Sequence, residues 1–423
     1  MSMDAWIAAA IFIVAYVLIA TERWDRTVIA LIGGMLVIVF GVIDQQQAFA
    51  AIDLNVIFLL AGMMVIASVL ARTGFFELLA IHSVRLSHGH PIRLLLILAA
   101  VTAVLSALLD NVTTVLLMTP IIFSVAKRLD ISPMPYLLAS VFASNIGGTA
   151  TLIGDPPNIL IGSASGLSFS DFLFNLGPVV LIVFLAFAGI MALSFRRVLQ
   201  VPDERRENAL ERAEGTAIKN RPLLVRSLIV AAATIVGFLF HGVLGLEPAT
   251  IALLGAAALM LVAHLDVAES LKEIEWSTLF FFVGLFILVE GLVATGIVGT
   301  FADALAEATQ GNAAVAAIAL LWFSGIASAV VDNIPYTATA IPVVDRLVSS
   351  GMHTDALWWA LSLGACLGGN LTIIGASANV VVANMADRAG HPIRFAQFLH
   401  YGAAVFESSL AISTVYLWVR YFA

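Results

Sequence analysis

The chain has 423 residues, 61% hydrophobic and only 11% charged, with mean hydropathy +1.03 and net charge −8. A soluble domain is nearer half apolar and a quarter charged, so a soluble enzyme is excluded and the composition is that of a polytopic membrane protein. A single cysteine, Cys366, excludes a disulfide framework and a cysteine metal cage.

Asp4 and a long apolar run follow Met1, without a basic n-region or a small-residue cleavage site, so the start reads as a first crossing and not as a cleaved signal peptide. A spanning helix needs about 20 mostly apolar residues. On that measure the first three crossings fall at 5–20, 27–43 and 54–72. A helical hairpin follows, with arms 92–109 and 112–126 and the polar residues Asp110, Asn111 and Thr113 at its turn. An Asp in hydrocarbon is costly and must face protein or water, while Asp and Asn favour turns and N-caps. The pair therefore ends one helix and starts the next at a re-entrant tip; a capped loop outside the membrane is the alternative. The fourth crossing, 134–165, would span ~48 Å if wholly helical, too long for a simple crossing. Its centre is GGTATLIGDPPN (147–158), whose GlyGly and ProPro break a helix. Two half-helices joined by unwound backbone fit better. Such backbone is tolerated at depth only where it lines a cavity or is buried in protein, and half-helix N-termini offer donors to a solute. Gly148, Thr149, Asp155 and Asn158 are the candidates there. The fifth crossing is 173–195.

The polar stretch 196–222 reads as a solvated cytoplasmic linker with one or two amphipathic turns. Beyond it the pattern returns: crossings six to eight at 223–240, 249–264 and 276–294, a second hairpin with arms 313–331 and 334–349, then crossings nine (357–386) and ten (396–419). The second tip carries Asp332, Asn333 and Thr337. Crossing nine contains GGNLTIIGASAN (368–379), with Gly369, Asn370, Ser377 and Asn379 as candidates. Isolated acids lie at Glu290 in crossing eight and Glu407 in crossing ten.

With the N-terminus outside, eighteen of the twenty Lys and Arg fall on the inside, leaving only Arg346 and Arg420 outside. Cytoplasmic loops carry such an excess, so both termini are expected outside an inner membrane. A shift of 222 residues superposes the halves. Gly62 meets Gly284, Thr73-Gly74 meets Thr295-Gly296, Asp110-Asn111 meets Asp332-Asn333, and one deletion aligns the two Gly-rich motifs. Each copy has five crossings, an odd number, so the copies are upside-down relative to each other. The expected fold is an all-α polytopic membrane protein of two inverted five-helix repeats with re-entrant hairpins and broken helices. The repeats are 1–195 and 223–423, the architecture of secondary transporters. Asymmetries between the copies mark candidate proton carriers: Glu290 stands where the first repeat has Ser68, and Asp155 where the second has Ala376. Buried carboxylates suit proton exchange, so Asp110, Asp155, Glu290, Asp332 and Glu407 are candidates, Asp155 and Glu290 foremost. For each acid a bonded structural role is the alternative. GSASG (162–166) fits a nucleophile elbow, but that turn needs an α/β sheet. No enzyme motif remains, and nothing calls for a cofactor, a resident metal or nucleic acid.

On the Asp-Asn hairpin tips and the two Gly-rich motifs, the chain resembles the ArsB/NhaD family of the ion transporter superfamily, over nearly its whole length, and is most like its arsenite efflux pumps. The resemblance implies an elevator-like shift of a domain made of both hairpins and crossings four, five, nine and ten. The scaffold would be crossings one to three and six to eight. It implies substrate contacts at Asn111, Thr113, Asn333 and the broken helices. A soluble ATPase partner on the cytoplasmic side and a homodimer stay open. The candidate site offers Asn, Thr, Ser and backbone groups, with no Lys or Arg at membrane depth, which argues against a multiply charged anion. Arsenite, a neutral trihydroxide, fits first; Na⁺ fits nearly as well, since Asp and carbonyl oxygens bind hard cations. The expected activity is arsenite or antimonite efflux in exchange for protons, with Na⁺/H⁺ antiport as the alternative.

Overall fold

A chain this apolar must satisfy its backbone internally, and among the described residues it does so with helices alone. The computed structural model describes residues 2–21, 23–129, 131–199, 218–352 and 354–423, and every regular element among them is helical. The first half holds α1 (Met3–Ala20), α2 (Arg26–Val39), α3 (Gln45–Ala50), α4 (Leu54–Arg72) and α5 (Phe75–Ser87). It continues with α6 (Pro91–Leu108), α7 (Asn111–Leu129), α8 (Met134–Gly148), α9 (Pro156–Ser165) and α10 (Phe169–Phe195). The second half holds α11 (Arg221–Leu244), α12 (Pro248–Val262), α13 (Val267–Lys272), α14 (Trp276–Ala294) and α15 (Ile297–Ala308). It closes with α16 (Ala313–Val331), α17 (Asn333–Ser349), α18 (Ala356–Gly368), α19 (Ser377–Arg388) and α20 (Phe395–Tyr421). The elements of the two halves follow in the same order, α1 to α10 alongside α11 to α20.

Among the described residues, eight helices are long and apolar enough to cross a membrane: α1, α4, α6, α10 and their counterparts α11, α14, α16, α20. The second and seventh crossings are shorter than expected. α2 has 14 residues and stops at Val39, where the turn through Gly41 takes a left-handed φ of +73°. Crossings four and nine are each split, as GlyGly and ProPro require: α8 and α9 flank one break, α18 and α19 the other. Four short helices escape a search for apolar spans. α3 and α13 have six residues each, and α5 and α15 connect the third and eighth crossings to the hairpins. Both α5 and α15 start at the glycine of a repeated Thr-Gly pair, with φ of +86° at Gly74 and +78° at Gly296, which only glycine adopts without strain.

Packing divides the helices into two groups. In one, α2 packs on α14 and, symmetrically, α4 on α12. A Cβ on Gly284 would lie 2.5 Å from the Ala30 carbonyl carbon, and one on Gly62 would lie 2.7 Å from that of Ala252. Small residues let helices approach this closely, which is how spanning helices associate without a hydrophobic drive. In the other group α6 packs on α8 and α16 on α18, and the halves exchange partners, α7 lying on α19 and α17 on α9. The linker expectation falls largely on residues 200–217, outside the described residues. Its far end is tied to the first half, where the Lys219 amide donates to the Thr73 carbonyl at 2.9 Å and Lys219 Nζ meets Glu77 Oε1 at 2.8 Å.

Candidate functional site

Both hairpins end on an Asp that caps the second arm. The Thr113 amide donates to Asp110 Oδ1 at 2.8 Å, and the Ile334 amide to Asp332 Oδ1 at 3.0 Å. Each tip is fastened to the break it faces within its own half. Thr151 Oγ1 donates to the Ala107 carbonyl and Thr372 Oγ1 to that of Ala329; Ser106 and Ser328 bond the Ser144 and Ala365 carbonyls at 2.7 and 2.6 Å. The breaks are laced by one asparagine each. Asn158 Nδ2 donates to the Thr149 and Thr151 carbonyls at 3.0 and 2.8 Å; Asn379 Nδ2 donates to those of Gly369 and Thr372 at 2.7 and 2.9 Å. Gly148 and Gly369 let the loops fold back on themselves, a Cβ at Gly148 lying 2.4 Å from the Gly154 carbonyl oxygen.

The two halves then meet. Asn333 Nδ2 donates to Asp155 Oδ1 at 3.1 Å, joining the second tip to the first break. Asn111 Nδ2 donates to Asn145 Oδ1 at 3.2 Å, and Asn145 Nδ2 donates to Asn370 Oδ1 and Asn379 Oδ1 at 3.1 and 3.0 Å. Ser362 Oγ donates to Asn158 Oδ1 at 2.6 Å. The result is one polar layer of amides, hydroxyls and carboxylates, in which Asp110 is 6% exposed and Asn111, Asn145, Asp155, Asn158, Asn333, Asn370 and Asn379 are at most 2% exposed. Two amide atoms flanking Asn145 have no hydrogen bond among the described residues: the acceptor Asn111 Oδ1 and the donor Asn370 Nδ2. Buried polar atoms are normally paired, so these two stand out as an open acceptor and an open donor in the layer.

Of the residues singled out in the sequence, Asp110, Asn111, Thr149, Asp155, Asn158, Asp332, Asn333, Asn370, Ser377 and Asn379 come together here, with Gly148 and Gly369 at the helix ends. Thr337 is buried and bonds the Asn333 carbonyl at 2.7 Å, and Thr113 serves the Asp110 cap. Glu290 and Glu407 lie elsewhere. Glu290 sits in α14, its Oε1 accepting from Gln47 Nε2 at 2.9 Å, and Glu407 is exposed on α20. Three participants are not evident in the sequence. Asn145 stands two residues before the Gly-Gly pair and has Cys366 as its repeat counterpart, so symmetry does not flag it. Ser362 looks like an ordinary helix residue. Arg26, counted with a cytoplasmic loop, reaches the second tip, its Nη1 3.4 Å from Asp332 Oδ2. The expectation of a site without Arg is thereby corrected: a long flexible side chain at the head of α2 carries its charge to the layer.

Residues 16–364 match the sequence profile of a family described as citrate transporters, CitMHS. A 46 kDa membrane protein of Mycobacterium leprae is 46% identical over 98% of both chains, and an uncharacterized transporter of Mycobacterium tuberculosis is 46% identical over the same shares. The human P protein is 32% identical over 98% of this chain, which spans 60% of that relative's length. Among solved structures, the Alcanivorax borkumensis YdaH transporter, described as having an unusual topology, aligns over 99% of this chain and 97% of its own with TM-score 0.56 and 14% identity, a likeness of fold.

Proposed function

Since the chain belongs to the citrate transporter family of the ion transporter superfamily, and is a multi-pass membrane transporter, we propose that its cargo is a small hydroxylated solute, arsenite or antimonite, exported in exchange for protons. The observation that carries this is the pair Asn111 Oδ1 and Asn370 Nδ2, an open acceptor and an open donor in a buried amide layer. A neutral trihydroxide engages both. A citrate-like trianion suits the layer poorly, because Asp110, Asp155 and Asp332 lie in it, the one ion pair there among the described residues is Arg26 with Asp332, and like charges repel strongly where water is scarce. The same carboxylates favour a second reading, Na⁺/H⁺ antiport.

In the first reading the repeats 1–195 and 223–423 together supply a scaffold of α1–α4 and α11–α14 and a moving group of α6–α10 and α16–α20, which carries the layer across by an elevator-like shift. Asp155 is the favoured proton carrier, since it lies inside the layer and Glu290 and Glu407 do not. The Lys/Arg bias supports a topology with both termini outside an inner membrane. Everted vesicles under an imposed pH gradient test the reading, with arsenite, Na⁺ and citrate offered separately. Arsenite accumulation that collapses the gradient supports it; Na⁺-driven proton flux without arsenite uptake selects the second reading; citrate uptake alone overturns both. Added ATP and the purified molecular mass test for a soluble ATPase partner and a homodimer.

A further inference from the structure

Arg26 opens α2, in the group of helices packed as α2–α14 and α4–α12, yet its guanidinium is spent on the other group. Nη1 lies 3.4 Å from Asp332 Oδ2 at the second hairpin tip and also donates to Ser377 Oγ at the head of α19. Ser377 Oγ in turn donates to Asp332 Oδ2 at 2.8 Å, closing a three-membered ring of contacts. The guanidinium is steered by the Phe281 ring, whose centroid is 5.2 Å away, a cation–π placement. Tyr16 of α1 reaches the same hairpin, its hydroxyl donating to the Pro335 carbonyl.

Two further facts set this contact apart. Asp332 has φ of +85°, while its counterpart Asp110 has no such backbone. A non-glycine residue there is strained and persists only where its surroundings hold it. The repeat counterpart of Arg26 is Pro248, which has no side-chain donor, so that position cannot give the first hairpin the same tie. A pocket of about 230 Å³ lies against the tie, walled by Ile19, Trp24 and Arg26 on one side and Val331, Asp332 and Val381 on the other.

We propose that Arg26 is a positioning residue that fastens the second hairpin tip, through Asp332 and Ser377, to the immobile helices in one transport state only, and must release it for the tip to move. The inference rests on the alternating-access reading above. While the tie holds, the pocket stays open towards the α1–α2 loop and Val381 faces it; once it is broken, the tip leaves and the pocket is lost.

The test uses the full chain carrying Val381→Cys in right-side-out and everted vesicles, with a membrane-impermeant maleimide as probe. Cys366 is fully buried, and the chain without the added cysteine gives the background. Arg26→Gln and Asp332→Asn should each slow labelling from the α1–α2 loop side by about two- to fivefold, the factor a part-exposed ion pair supplies. Arg26→Lys, which keeps the charge, should recover part of it. Asn also caps helices well, so Asp332→Asn preserves α17 if Arg26→Gln fails to fold. Unchanged labelling in a folded variant overturns the tie. Alternating access is judged separately on the Val381→Cys chain alone: labelling that ignores an imposed pH gradient and all three solutes overturns that reading, whereas labelling that responds to them while the Arg26 and Asp332 variants do not overturns only the role of Arg26.

Discussion

Asn111 and Asn333 occupy matched places but make different bonds, one to the Asn145 amide and the other to the Asp155 carboxylate. The difference arises because the repeat counterpart of Asp155 is Ala376, which offers Asn111 nothing to bond. Asn111→Ala removes one hydrogen bond, and its cost is that of the buried acceptor it strands, about 1–3 kcal/mol. It leaves Asn145 Oδ1 unmatched in a buried layer, and transport should fall about tenfold or more. Purified Asn111→Ala of normal thermal stability with wild-type uptake would remove the tip from the binding site. Asp155→Asn is expected to behave differently. Its amide oxygen still accepts from Asn333, so the layer stays assembled, but no proton can be carried. Counterflow of labelled solute should survive and pH-gradient-driven uptake should vanish; loss of both would make Asp155 a structural partner of Asn333.

At the scale of elements, the helix breaks and close helix contacts depend on glycines whose neighbours are backbone. A Cβ on Gly147 would sit 2.1 Å from the Ala103 carbonyl oxygen, and one on its counterpart Gly368 would sit 2.5 Å from that of Gly325. Rigid backbone cannot yield as a side-chain tip can, and overpacking costs about 1–3 kcal/mol or more. Gly147→Ala and Gly368→Ala should both lower the thermal midpoint in detergent. Gly299→Ala in α15, where nothing lies within 4 Å, should leave it unchanged or raise it. A lowered midpoint for Gly299→Ala alone would contradict this packing account. The connecting helices α5 and α15 escaped the sequence because amphipathic segments of 13 and 12 residues are neither long nor apolar enough to read as spans.

For the whole molecule, movement of one helix group against the other is the central expectation, and the pocket between Trp24 and Val381 supplies a place to arrest it. A short bis-maleimide joining cysteines at these two positions should stop transport, and cleaving a reducible version of the linker should restore it. The same reagent joining cysteines at Asn55 and Glu247, whose side chains meet at 3.0 Å within the α4–α12 group, should leave transport intact. Equal inhibition by both linkages would argue that the groups do not move relative to each other.

Composition and hydropathy alone determined that the chain spans a membrane, because burial of apolar length in lipid is a local property of each segment. The order of elements and the breaks were legible for a related reason: Gly-Gly, Pro-Pro and Asp-Asn act on the backbone where they stand. The repeat was legible because the residues permitting close approach, such as Gly62 and Gly284, must recur with the packing they permit. Only the tertiary structure decided which polar residues share one layer. It separated Glu290 and Glu407 from the site and brought in Asn145, Ser362 and Arg26, whose partners lie on other helices. A hydrogen bond such as that from Asn145 to Asn379, 234 residues away, is fixed by how two helices cross, and nothing near Asn145 in the chain records that crossing.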